Sequence, residues 1–323
     1  MKIAFTWDYE LFFGEKSGTV SACMLDPTNR LLEIADKHQA LFTFFPDAGY
    51  LFHAASETSS LEELEKVERQ IRSWDAAGHE TGLHIHPHWE DSIYSNGAWQ
   101  HDLKHYKLSD FKQAVAREII HKYHKRIQGL VNGKVTSYRA GGWCVQPFEP
   151  LKAAFEEVGI VIDSSVFKGG KNTTSPYNYD FTNAPMKDKY SFVDDVLVEN
   201  SKGSFLEIPI ASFRYSPLFF WRLFILGRLN PKDHKGIGDG VPAAGGGSKK
   251  KLLTQYNTLS VNADGYFITK VEAAMDKAQH LGHEHLVVIG HPKACTNFSL
   301  KSLDLFIEKY KGKVEFVTLS SLK

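Results

Sequence analysis

Cysteine is scarce in this chain. Its 323 residues include three, Cys23, Cys144 and Cys295, widely spaced and with no CxxC pair. An odd, scattered set argues against a disulfide framework and against a cysteine-built zinc site, and free thiols fit a reducing compartment. An excess of one charge is also missing: 38 basic residues balance 38 acidic ones, for a formal net charge of +0. A nucleic-acid binder usually carries a basic surplus, so no nucleic-acid partner is expected. Long apolar runs are lacking, and without about 18 consecutive apolar residues no transmembrane segment is expected. The N-terminus, MKIAFTWDYE, meets acidic residues by position 8. That is unlike the apolar core of a secretory signal, and a cytoplasmic protein is expected. Finally, no GxGxxG follows the first apolar run, which weakens a dinucleotide-binding reading.

What is present suits an enzyme-sized globular domain. Apolar residues make up 42% and charged residues 24%, ordinary proportions for a soluble protein. A chain of this length buries roughly three quarters of its unfolded surface. Short apolar runs, the mark of buried strands, fall at 2–7, 40–45, 79–86, 135–140, 160–165, 205–211, 285–291 and 314–319. Helical patterns fall at 26–39, 60–78, 109–130, 147–159, 269–282 and 300–312. Asp26 and Ser109 are the expected N-caps of the first and third, and Pro27 suits a first helical turn. Strands alternating with helices imply βα units and a parallel sheet. The expected fold is therefore α/β, with seven or eight units in a closed or nearly closed barrel. One domain is expected over 1–323, interrupted by insertions at about 166–204 and 212–265. The second insertion opens with apolar SPLFFWRLFILGRL (216–229) and ends in a Gly/Lys-rich run, 236–251, that resembles a mobile loop.

Polar residues collect where strands end. Asp8 and Glu10 follow the first strand, and GLHIHPHWE (82–90) puts His84, His86 and His88 at the end of the third. Arg139 ends the fourth, Asp163 the fifth, and His291 the LVVIG strand. In a β/α barrel such ends share one face, where active sites are built. Two imidazoles and a carboxylate are a common ligand set for zinc or another divalent metal, with Glu10 or Asp8 as the acid. A solvated loop is the plain alternative for the histidine triplet taken alone. Arg139 can clamp Asp8 through its guanidinium. Asp163 has two open roles: capping its own loop with Ser164 and Ser165, or bonding a catalytic histidine.

The ordered set FTWDYE, GHETGLHIHPH, YRAGGW, IDSS and LVVIGHP resembles the five motifs of the polysaccharide deacetylase family, the NodB-homology or carbohydrate esterase 4 group. Together they span residues 5–292. The resemblance implies a distorted (β/α)7-type barrel, one divalent metal, zinc foremost, and hydrolysis of an N-acetyl group from a sugar. It implies Asp8 as general base and Glu10, His84 and His88 as metal ligands, with His86 as an alternative ligand. Arg139 would orient Asp8, His291 would be the general acid, and Asp163 would tune it. Two positions depart from the family pattern: Tyr9 separates the two acids, the second of which is glutamate, and Gly141 stands where a proline is usual. The N-acetylated substrate is expected to be a glycan, lipid-linked or nucleotide-sugar precursor of a surface polysaccharide. An amidohydrolase acting on a non-sugar amide and a non-catalytic carbohydrate-binding protein are the alternatives. For 218–229, a buried helix or active-site cover is the favoured reading, and a weak membrane-surface contact the other.

Overall fold

A computed structural model of the protein describes residues 1–174, 176–243 and 248–323. Lys2–Tyr9 is the central strand, flanked in parallel by His285–Gly290 and Phe42–Pro46. It is buried on both faces from Ile3 onward, which is why it reads as a continuous apolar run rather than an alternating one. Glu315–Phe316 adds to its start, and Glu80–Thr81 extends the sheet beyond Phe42–Pro46. Leu83–Ile85 continues the same stretch of chain into a second sheet. There it pairs in parallel with Ser137–Ala140, then Ile162–Asp163 and Phe205–Glu207, with Tyr190–Phe192 antiparallel at the edge.

The two sheets curl toward each other on the far side as well. The Ala211 amide donates to the Val287 carbonyl (2.9 Å), and the Val261 and Ala263 amides donate to Ala211 (2.7 Å) and Ile289 (2.8 Å). Single main-chain bonds replace a continuous ladder here, so among the described residues the two sheets approach each other without forming a closed barrel. The return of 261–263 beside His285–Gly290 also delivers Asp264 to that strand's C-terminal end.

The six expected helices are present, for example Asp26–His38, Leu61–Ala76, Gln113–Gln128 and Asn297–Tyr310. In Leu61–Ala76 the buried residues Leu64, Val67, Ile71 and Trp74 fall on one face, the 3.6-residue period of a core-facing helix. Two caps differ from expectation. A π-helical turn, Ser21–Leu25, runs directly into Asp26, so Asp26 is already helical and its carboxylate accepts from the Ser21 hydroxyl (2.9 Å). Ser109 lies in a separate 3-10 turn, Leu108–Asp110, and Lys112 precedes the helix. The strand expected at 160–165 stops at Asp163 because side chains take over its ladder. The Ala140 amide donates to Ser165 Oγ (2.9 Å), and Arg139 Nε donates to the Ser164 carbonyl (2.8 Å).

The insertions carry their own short elements. Lys171–Asn172 pairs with Tyr179–Asp180, and Ser212–Tyr215 pairs with Asn257–Ser260. Helix Pro217–Leu229 and a short helix, Lys249–Thr254, lie between the latter two strands. Of the Gly/Lys-rich run expected to be mobile, residues 244–247 lie outside the described residues. Among the described residues no helix is long and apolar enough to cross a membrane.

Candidate active site

Asp8, Glu10, His86 and His291 converge from three strand ends on one cavity of about 350 Å³. Its other walls are largely aromatic: Phe13, Tyr106, Trp143, Tyr177 and Tyr179. Both insertions contribute, the first through the two later tyrosines and the second through Pro242 and Ala243.

Residues two apart on a strand share a face, and that places His84 and His86 together. His84 donates from Nδ1 to the Arg139 carbonyl (2.8 Å), which turns its Nε2 toward Glu10 Oε2 (3.1 Å). His86 Nε2 lies 2.7 Å from the same oxygen. The Glu10, His84 and His86 ligand atoms lie within 4.8 Å of one another, and all three residues are buried. Convergence of two imidazole nitrogens and one carboxylate oxygen, one ring fixed by an outer hydrogen bond, suits a divalent transition metal. His88 is not in this group. Pro87 opens a 3-10 turn, Pro87–Asp91, that takes His88 off the strand's period. The His88 ring stacks instead on Tyr106, 5.6 Å away and nearly parallel, and its two nitrogens are buried without a partner. His86, expected only as the alternative, thus occupies the place expected of His88. Burial, helped by the neighbouring His86 and His101, holds the His88 pKa well below the usual imidazole value, so the ring is neutral and packs behind Tyr106.

Lys293 is a residue that the sequence reading missed. Its ammonium donates to Glu10 Oε1 (2.8 Å) and to the Leu11 carbonyl (2.6 Å). One oxygen of Glu10 is therefore engaged, and the other faces the two imidazoles. Burial alone would raise the Glu10 pKa, but Lys293, His86 and His84 together hold it well below the usual carboxylate range. For His84, burial favours the neutral ring, yet Asp8, Glu10 and Asp47 outweigh it and lift the pKa to about 9.

Asp8 is held from one side. Arg139, fully buried, donates from Nη1 to Asp8 Oδ1 (3.0 Å) and to Thr6 Oγ1 (2.9 Å). Its Nη2 donates to Ser164 Oγ (3.1 Å). Asp8 Oδ2 then faces the cavity, 3.8 Å from His291 Nε2 and 4.0 Å from His84 Nε2.

Asp264, not Asp163, is the partner of His291. The His291 Nδ1 and the Asp264 carboxylate are 2.7 Å apart, and the His291 amide donates to the other Asp264 oxygen at 2.7 Å. Asp163 caps its own loop, accepting from the Ser165 hydroxyl (2.7 Å) and amide (3.2 Å). It is the strand neighbour of Glu207, whose carboxyl burial and the adjacent Asp163 push well above the usual range. No motif announced Asp264, because it lies at the end of an insertion; Lys293 had the weak signal of standing two residues after His291. Burial favours neutral His291, but Asp264 and then Asp8 outweigh it and raise its pKa. In Asp264→Asn that support is lost, so the histidine deprotonates at lower pH. The alkaline limb of the kcat/KM profile should move to lower pH, with protein stability changed much less; an unmoved limb would remove Asp264 from this role.

Gly141, where the motif it resembles usually has proline, has a geometric reason. A Cβ there would meet His86 Nδ1 at 2.5 Å, and one on Gly142, whose φ is +57°, would meet the Tyr106 ring at 2.7 Å. Gly141 makes room for the His86 ring and Gly142 for that of Tyr106. Gly141→Ala is expected to displace that ring and weaken metal binding by about 10–100-fold, the usual cost of disturbing a ligand's support, as read by competition with a chromophoric chelator.

No family model matches the chain, and no curated protein matches it in sequence. Solved structures do match. A Mycobacterium smegmatis protein described as a candidate polysaccharide deacetylase superposes with a TM-score of 0.56 at 18% identity, over 99% of this chain and 88% of that one. The Puue allantoinase superposes with a TM-score of 0.50 at 13% identity, with the same coverage of both chains. At such identities the similarity is one of fold alone: the chain shares the mixed α/β architecture of these two structures.

Proposed function

We propose that this protein is a metal-dependent amide hydrolase that removes an N-acetyl group from an amino sugar. The observation that carries the reading is the meeting of two groups at one cavity: Glu10 and His86, with His84 against the same Glu10 oxygen, beside Asp8 and His291. Glu10, His84 and His86 would hold the divalent ion, zinc foremost for a two-histidine, one-carboxylate set. Such an ion polarises a carbonyl and makes water more acidic when bound.

The chain's own residues supply the proton movements. Asp8, oriented by Arg139, accepts the proton of the attacking water at Oδ2. His291, kept charged by Asp264, donates from Nε2 to the departing nitrogen. Water adds to the acetyl carbon, the C–N bond breaks, and acetate and a free amine leave. The aromatic walls offer faces on which a sugar ring can stack, and the closeness of both insertions suits a single or terminal sugar better than the middle of a long polymer. A biosynthetic precursor of a surface polysaccharide fits that shape.

The allantoinase that shares the fold gives the second reading, a small cyclic amide, which a compact cavity would also admit. A substrate panel separates them. Acetate release from N-acetylhexosamines and their short oligomers, with no opening of a cyclic ureide, is the expected outcome. Ureide opening without acetate release would reverse the assignment.

A further inference from the structure

Helix Pro217–Leu229 is apolar nearly all round, yet only part of it is covered. Ser216 caps it, accepting from the Phe219 amide, and Pro217 begins it. Phe219 and Phe220 are buried with Tyr215 in a small second core. Opposite them Leu218, Trp221, Ile225 and Leu229 are 59%, 50%, 52% and 73% exposed. Their spacings of three, four and four residues align them as one ridge along the helix. Of the two favoured readings, a buried helix or an active-site cover, the first is not met along this side.

Charge around this ridge is one-sided. Residues 214–251 contain eight Lys or Arg and two Asp, a net +6, in a chain whose total is +0. Arg222 and Arg228 are exposed on the helix, and Lys249, Lys250 and Lys251 are exposed on the short helix packed beside it. The Arg228 guanidinium and the Lys249 ammonium sit 5.9 and 5.6 Å from the Phe224 ring, so the cations border the apolar ridge.

We propose that this ridge docks on the surface of a bilayer containing anionic phospholipid. Leu218, Trp221, Ile225 and Leu229 enter the boundary between headgroups and acyl chains, where tryptophan is favoured, and the bordering Lys and Arg meet phosphates. A second copy of the chain is the weaker occupant, because a symmetric dimer would set Arg222, Arg228 and Lys249–Lys251 against their own copies. The inference is independent of the catalytic reading.

Flotation of the full chain with vesicles tests it. The protein should float with phosphatidylcholine vesicles containing phosphatidylglycerol, much less with phosphatidylcholine alone, and less as salt is raised. Trp221→Ser/Ile225→Ser and, separately, Lys249→Gln/Lys250→Gln/Lys251→Gln should each cut binding by more than about tenfold. All of these positions are exposed, and circular dichroism checks that the variants fold. No flotation with anionic vesicles, or equal flotation of both variants and the parent, would overturn the proposal. So would sedimentation showing a dimer that Trp221→Ser/Ile225→Ser dissociates while vesicles bind neither form.

Discussion

His86→Ala should empty the metal site, whereas His88→Ala should leave it filled. Both rings are buried, within one short stretch, and 5.3 Å apart, so bulk burial does not distinguish them. Orientation does. His86, extended just past the strand that ends at Ile85, has Nε2 2.7 Å from Glu10 Oε2, while His88 is carried on the Pro87–Asp91 turn and stacks on Tyr106. Removing one of three protein ligands should cost more than the roughly 10–100-fold typical of outer-shell changes. Elemental analysis of each purified variant after dialysis reads the result directly. Loss of metal from His88→Ala with retention in His86→Ala would reverse the ligand choice. The same site sets a pH dependence. His84 is raised to about 9, so below that pH metal must displace a proton, and apparent affinity should rise about tenfold per pH unit between neutrality and pH 9. The corresponding sign for the metal-free fold is the opposite: the stabilising charge on His84 is fully present below about 6.5 and is lost as pH rises through about 9.

Asp8→Asn should reduce turnover by about 10²–10⁴-fold, the range for loss of a general acid or base, while metal content stays unchanged. The substitution keeps size and an oxygen that can accept from Arg139, so the buried arginine retains a partner. It removes the negative charge and basicity that face His291 Nε2 at 3.8 Å. Kinetics and metal analysis on the same preparation separate the two roles. Full activity in Asp8→Asn would exclude it as the base. Loss of metal in Asp8→Asn would make it a ligand instead.

Much of this arrangement could be read from residue order. Parallel strands buried on both faces leave continuous apolar runs such as KIAFTW and LVVIG, and polar residues directly after such runs mark the C-terminal rim. The choice between His86 and His88 could not be read, because it depends on whether the strand continues up to Pro87 or turns before it. Asp264 was hidden for a different reason. It reaches His291 only because residues 261–263 return beside His285–Gly290 after an insertion with no regular period. Asp163 showed both of its options in IDSS, and the nearby serines took it. The exposed ridge on Pro217–Leu229 was equally undecidable in sequence, since an apolar helix does not say which of its sides finds a cover.

The most direct test of the proposed chemistry is acetate release from an N-acetylated sugar before and after chelation. Removal of metal should abolish turnover with little change in the circular dichroism spectrum, and about one equivalent of zinc per chain should restore it. Full turnover by protein shown to be metal-free would contradict the mechanism built on Glu10, His84 and His86.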